Sequence, residues 1–195
     1  MELKTDILTF VERLIHFNEN LVVKAPMGSN IMSGFYLLYK HKKGIAFKII
    51  SPIPFDFSEN LKNKISFPKE ILIFNEEWFF SDKTQIDRIF KEYCLSIEKA
   101  INDIAKENKK NKFLVIFSFF ALSNLNITQL QKLKELFLRT NKLKINLIFT
   151  TPAEAELSQE EKAILSVLEL YYKKVQISPI ISNLEKNKLL KKIVA

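Results

Sequence analysis

Five consecutive apolar residues, Phe113-Leu114-Val115-Ile116-Phe117, constrain this chain more than any other feature. A strand with one face in water alternates apolar and polar side chains. An unbroken apolar run needs cover on both faces, which is the situation of a central strand in a parallel sheet. The segment before it supplies such cover. Ile86, Ile89, Phe90, Tyr93, Ile97, Ile101 and Ile104 recur every three or four residues, the period of an amphipathic helix. That helix starts at Ser81 or Asp82 and leaves through the charged stretch Lys106 to Lys112. Its stripe reads as core-facing rather than as a dimer surface.

The same alternation of strand and helix runs through the chain. Thr5 or Asp6 caps a first helix through about His16, with Leu8, Val11 and Ile15 on one face. Leu21–Lys24 is a short buried strand, and a helix follows from about Asn30 to His41. Gly44 ends it by supplying a left-handed residue. Ile45–Ile50 is the next strand, stopped at Ser51-Pro52-Ile53-Pro54 because proline cannot donate to a sheet ladder. Ile71–Phe74 is a third strand. Beyond Phe117, residues 128–140 are helical and Ile145–Phe149 is a fifth strand. Ser158 with Glu161 forms a capping box for another helix. Val175–Ile177 is a last strand, and Ser182 with Glu185 opens a short basic helix over residues 183–195. The expectation is one α/β domain over residues 1–195, three layers α/β/α around a mostly parallel sheet.

The loop after the first of these strands carries the functional information. Ala25-Pro26-Met27-Gly28-Ser29-Asn30-Ile31-Met32 stands between strand and helix, where a phosphate-binding loop stands. The working pattern is G-x-x-x-x-G-K-[ST]. Its backbone N–H groups cradle phosphates, its Lys reaches the β and γ phosphates and its hydroxyl holds Mg²⁺. In that frame the glycines are Ala25 and Asn30, the Lys is Ile31 and the hydroxyl is Met32. Lys24 is the nearest cation, and with Ser29, Asn30 and Ser33 it forms a candidate anion contact at the helix N-terminus.

The order of parts, over about residues 20–181, resembles a degenerate P-loop nucleoside-triphosphatase domain of the RecA/KaiC type. The resemblance implies a RecA-like fold. It also implies a catalytic Glu after the strand Ile45–Ile50, where Ser51 stands, and a metal-orienting Asp after Phe113–Phe117, where Ser118 stands. A polar sensor residue is implied at the end of Ile145–Phe149, where Thr150-Thr151 stands. By analogy with the RecA-like order, Phe113–Phe117 and Leu21–Lys24 are expected to be neighbouring inner strands. Phosphoryl transfer is almost wholly positioning and electrostatic stabilisation. With Ile31, Met32, Ser51 and Ser118 at the four working positions, little catalysis would remain. The expectation is a protein with no catalytic residues, no metal and no cofactor. Such degenerate domains serve as structural or regulatory subunits, so the implied partner is another copy or an active ATPase. The alternative within the resemblance is an ATPase using a displaced lysine.

Two further surfaces stand out. Glu76-Glu77-Trp78-Phe79-Phe80 follows the third strand at the carboxyl end of the sheet, where α/β proteins bind ligands. It reads as an aromatic partner surface flanked by acids. The formal charge is +8, which favours anionic partners. From Glu154 to Glu169 there are five Glu and one Lys, whereas Lys173, Lys174, Lys186, Lys188, Lys191 and Lys192 make the last part basic. These six are the candidates for weak, sequence-independent nucleic-acid contact, separable by removing residues 183–195 with the fold intact. His16 and His41 are too few and isolated for a metal cluster. The lone Cys94 lies in a helical pattern and reads as a packing residue. No apolar run reaches a membrane span, and the N-terminus lacks the basic and apolar regions of a signal peptide. No membrane contact and a cytoplasmic location are expected.

Overall fold

The apolar runs Leu21–Val23, Ile45–Ile50, Phe113–Phe117 and Leu147–Phe149 become strands of a single sheet in the computed structural model. The structure describes residues 2–16, 18–26, 29–52, 67–78, 83–117, 125–152, 159, 173–179 and 183–195. Its elements are β1 (Glu2–Thr5), α1 (Ile7–His16), β2 (Leu21–Ala25), α2 (Ile31–His41), β3 (Ile45–Ser51), β4 (Leu72–Phe74), α3 (Ile86–Lys106), β5 (Asn111–Phe117), α4 (Ile127–Lys142), β6 (Asn146–Pro152), β7 (Lys173–Ile177) and α5 (Asn183–Val194). Two short turns of tighter helix, Glu76–Trp78 and Lys83–Gln85, lead into α3.

The strand order is β1-β7-β2-β6-β5-β3-β4, and every pairing among the described residues is parallel. This is the α/β/α class expected. The placement of β5 differs: it is not beside β2. β6 lies between them, with Leu21 opposite Ile148 and Phe113 opposite Asn146. Consecutive strands joined by a crossover often settle side by side, as β5 and β6 do here. The β5-α4-β6 unit therefore sets β6 into the slot next to β2.

The chain moves one way across the sheet through β2, β3 and β4, then reverses through β5, β6 and β7. Right-handed crossovers put helices of the two directions on opposite faces. One core joins α1, α2 and Leu189 of α5 to Leu21, Val23, Phe47, Phe113, Val115 and Ile148. The other joins α3 and α4 to Val22, Ala46, Leu114, Ile116, Leu147 and Phe149. Successive residues of β5 thus alternate between two apolar layers, and Phe113, Leu114, Val115 and Ile116 are completely buried. The stripe on α3 faces the core as its period requires, from Ile89 to Ile104.

Local chemistry fixes the ends. The carboxylate of Asp6 caps α1, accepting hydrogen bonds from Leu8 N at 2.9 Å and Thr9 N at 3.0 Å. Asn126 and Gln129 form a reciprocal capping box on α4. Gly44 has φ 74 and turns the chain from α2 into β3. Gly34 is where α1 and α2 approach most closely. A methyl group there would sit 2.5 Å from Ile7 Cδ1 and 3.2 Å from Val11 Cγ2.

The boxes proposed at Ser158 and Ser182 involve residues outside those described. α5 is docked rather than a free tail, since Leu189 is 2% exposed within the α1/α2 layer. Removing residues 183–195 would therefore open that layer, and the expectation of an intact fold is corrected.

Candidate functional site

The chain leaves β2 toward β3 on one side and leaves β6 toward β7 on the other. Such a reversal opens a crevice at the carboxyl ends of the two strands, the usual ligand position in an open α/β sheet. The register places Val23 opposite Thr150, Lys24 opposite Thr151 and Ala25 opposite Pro152. On its other side Thr150 is level with Phe117 at the end of β5.

The loop from β2 closes tightly over this edge. Ser29 N donates to Pro26 O at 3.1 Å, and Ser29 is 2% exposed. Asn30 takes the left-handed conformation, φ 51 and ψ 39, which Asn tolerates better than most residues. Its side chain does not cap α2. Ile31 and Met32, at the positions of the phosphate lysine and the metal hydroxyl, are 8% and 6% exposed and belong to the α1/α2 core. They are built into the packing of the domain. Ser33 is buried beside them.

Lys24 shares a strand face with Val22, which packs in the α3/α4 layer. Alternation therefore puts Lys24 on the opposite side of the sheet from α2. An anion at the α2 N-terminus would be reached only over the end of the strand. Thr150 shares a face with Ile148, in the α1/α2 layer. Its hydroxyl is buried and has no hydrogen-bond partner in the structure. Buried polar groups are rarely left so.

Ser51 ends β3 fully buried, and its carbonyl accepts from Asn75 N at 3.3 Å. Among the described residues, Ser51 itself stands where the resemblance implies a carboxylate. Gly28, Ser118, Phe79 and Phe80 lie outside the described residues.

Glu76 and Glu77 are exposed, and Glu77 is tied to Arg88 at 3.2 Å. Arg88 also pairs with Glu92 at 3.0 Å. The hydrogen bonds it donates to Glu92 and then to Glu77 raise its already high pKa. Trp78 is not on the surface: it is 2% exposed and meets Tyr93 edge-on at 5.2 Å. The turn Glu76–Trp78 sends its acids outward and the indole into the α3/α4 layer. Among the described residues here, the exposed aromatic is Phe74, at 41%. Tyr93 donates its hydroxyl to Phe117 O at 2.8 Å and so locks α3 to the end of β5. Burial holds the Tyr93 phenol well above 10.0.

Cys94 is buried and its thiol is pushed up to about 12, first by burial. It packs, as its place in the helical pattern suggests. His16 and His41 end α1 and α2, at the opposite edge of the sheet from the crevice. Among the described residues no three His, Cys, Asp or Glu side chains converge to hold a metal. No described helix is long and apolar enough to cross a membrane.

The six lysines grouped in sequence fall on two elements. Lys173 and Lys174 belong to β7, which lies between β1 and β2. Lys188, Lys191 and Lys192 are exposed on α5, with Lys192 paired to Glu12 at 3.1 Å, and Lys186 shares that helix.

No protein-family model matches this chain, and no curated protein matches it in sequence.

Proposed function

We propose that this chain is a non-catalytic α/β module, a degenerate P-loop-type domain of the RecA/KaiC kind, that acts by associating with another protein. One observation carries the reading. Ile31 and Met32 occupy the positions of phosphate and metal recognition and are packed into the α1/α2 core. A side chain already holding two helices together is not available to a nucleotide. Ser51 likewise stands at the position where the resemblance implies the carboxylate that would polarise water.

The partner is another copy of this chain or an active ATPase of similar fold. RecA-like domains assemble side by side, and β4 is a three-residue edge strand carrying the exposed Phe74 beside Glu76. An edge with no pairing strand among the described residues, carrying an apolar side chain, favours docking over isolation. Sedimentation velocity across a concentration series, with retrieval of tagged protein from its native extract, tests this. Self-association or capture of an ATPase, weakened by Phe74→Ser, is the expected result. A monomer at every concentration that retrieves no ATPase would overturn it.

A second reading rests on Thr150. Its buried hydroxyl, unpartnered among the described residues, faces the layer of α2, whose N-terminus has no side-chain cap. Those groups suit an anion held without hydrolysis. Micromolar binding of ATP with Mg²⁺ and no turnover, lost in Thr150→Val, would favour this reading over the first. Turnover lost in Lys24→Ala would instead favour an ATPase with a displaced lysine.

A further inference from the structure

All-parallel pairing collects every strand start and every helix end at the amino edge of the sheet, the edge opposite the crevice. The loops there touch one another. Lys42 Nζ donates to Leu14 O at 2.8 Å and to Asn18 Oδ1 at 2.9 Å, and Asn18 in turn donates to Asn111 Oδ1 at 2.6 Å. Asn146 donates to Lys112 O at 3.1 Å, and Leu147 N donates to Asn20 Oδ1 at 2.8 Å. The residues entering β2, β3, β5 and β6 therefore form one continuous surface.

That surface is cationic. Lys43, Lys106, Lys109, Lys110, Lys142 and Lys144 are all exposed, and none makes an ion pair among the described residues. Lysines at helix ends ordinarily satisfy terminal carbonyls and the helix dipole. Here that work is done by others. Lys42 caps α1, Lys112 Nζ donates to Ala105 O at 2.9 Å, and Leu143 N closes α4 on Arg139 O at 3.1 Å. The six exposed cations are surplus to the fold. Three of them mark adjacent strand entries. Ile45 pairs with Asn111 and Phe113 with Asn146, so Lys43, Lys110 and Lys144 lie just ahead of β3, β5 and β6. Neighbouring strands are about 4.8 Å apart.

We propose that this amino edge binds the phosphate backbone of duplex nucleic acid. The exposed large apolar side chains, Phe74, Leu95 and Ile127, lie on β4, in the middle of α3 and at the start of α4. Among the described residues, the lysine edge thus has no apolar anchor of the kind that seats a protein in a membrane. It also presents no aromatic platform for stacked single-strand bases among the described residues. Lysine contacts to phosphate alone position a duplex without reading its sequence. This surface is distinct from the docking edge at β4 and does not depend on it.

Fluorescence anisotropy of a labelled duplex, measured from about 50 to 200 mM salt, tests the proposal. The variant is Lys43→Gln/Lys110→Gln/Lys144→Asn, the last because Lys144 has φ 55 and Asn tolerates that conformation. A control of equal charge is Lys91→Gln/Lys132→Gln/Lys134→Gln, in the first halves of α3 and α4. The natural protein is expected to bind with a steep salt slope. Losing three contacts, at about 0.9 each, makes that slope shallower by about 2.7, and the control leaves it unchanged. An unchanged urea midpoint checks that both variants fold. An equal loss in the control, no binding at the lowest salt, or retention by phosphatidylserine vesicles but not by duplex would each overturn the proposal.

Discussion

Replacing Ile31 with lysine restores the cation of the phosphate-loop pattern, and the structure says what that costs. Ile31 is 8% exposed in the layer shared by α1, α2 and the sheet. Burying an isoleucine is worth about 1.5–3 kcal/mol. Lysine keeps part of this through its methylene stem while its ammonium reaches for water. Partial desolvation of that ammonium at so buried a position offsets what the stem keeps, so the balance is a loss of about 2–3 kcal/mol, set against a total stability of about 5–15 kcal/mol. Trp78, the single tryptophan, is buried, so its emission reports unfolding directly. With a urea slope of about 2–3 kcal/mol per M, the midpoint falls by about 1 M at unchanged slope. Adding Met32→Thr should deepen the loss, and neither variant should gain nucleotide binding. A variant as stable as the natural protein that binds ATP with Mg²⁺ at micromolar concentration would refute the reasoning. The loop would then be a dormant site and not part of the core.

Other perturbations test other joints of the fold. Asp6→Ala removes the cap of α1 and should lose about 0.5–2 kcal/mol at neutral pH. Burial raises the Asp6 carboxyl, but hydrogen bonds from Thr9 and Leu8 outweigh it and hold it below 3.8. The cap's stability is therefore present above 3.8 and lost as the pH falls through the lower folded value. Denaturation of both proteins across that window should show their difference closing, and a constant difference would count against the cap.

Gly34→Ala sets about 1–3 kcal/mol of overpacking against about 1 kcal/mol of helix propensity. A net loss is expected, smaller in an Ile7→Val background, because the new methyl meets Ile7 first. Stabilisation in the natural background would show that the helices part easily. At alkaline pH the buried Cys94 thiol, raised from 9.0 to about 12, keeps its proton while the unfolded chain loses one. Its contribution is whole below 9.0 and is lost as pH rises toward 12, at about 1.4 kcal/mol per pH unit. Urea midpoints of Cys94→Ala should decline less over that window. Parallel declines would show that the thiol is not held neutral.

The sequence announced those parts of the fold in which one residue's neighbours determine its role. Phe113–Phe117 had to be covered on both faces, and the stripe on α3 had to face a core. Strand order was harder. β2, β5 and β6 are all apolar enough for an interior position, and nothing within a strand says which one lies beside it. β1 escaped notice because Glu2–Thr5 is too short and polar to show a pattern. The Asn126 and Gln129 box went unread, although the cap and its Gln stand three residues apart. Trp78 was misread as surface because two acids precede it, while its partner Tyr93 is far along the chain. At the candidate site, the missing lysine and hydroxyl were visible as Ile31 and Met32. The solitary hydroxyl of Thr150 was not, since an orphaned group depends on what three strands and a helix fail to place near it.

Isothermal calorimetry of the natural protein with ATP and Mg²⁺ tests the central claim most directly, because it asks whether the β2 to α2 loop still recognises a nucleotide. The account expects no heat of binding up to millimolar ATP, in the natural protein and in Lys24→Ala alike. Micromolar binding that Lys24→Ala abolishes would contradict it and make this domain a nucleotide-binding protein with a displaced lysine.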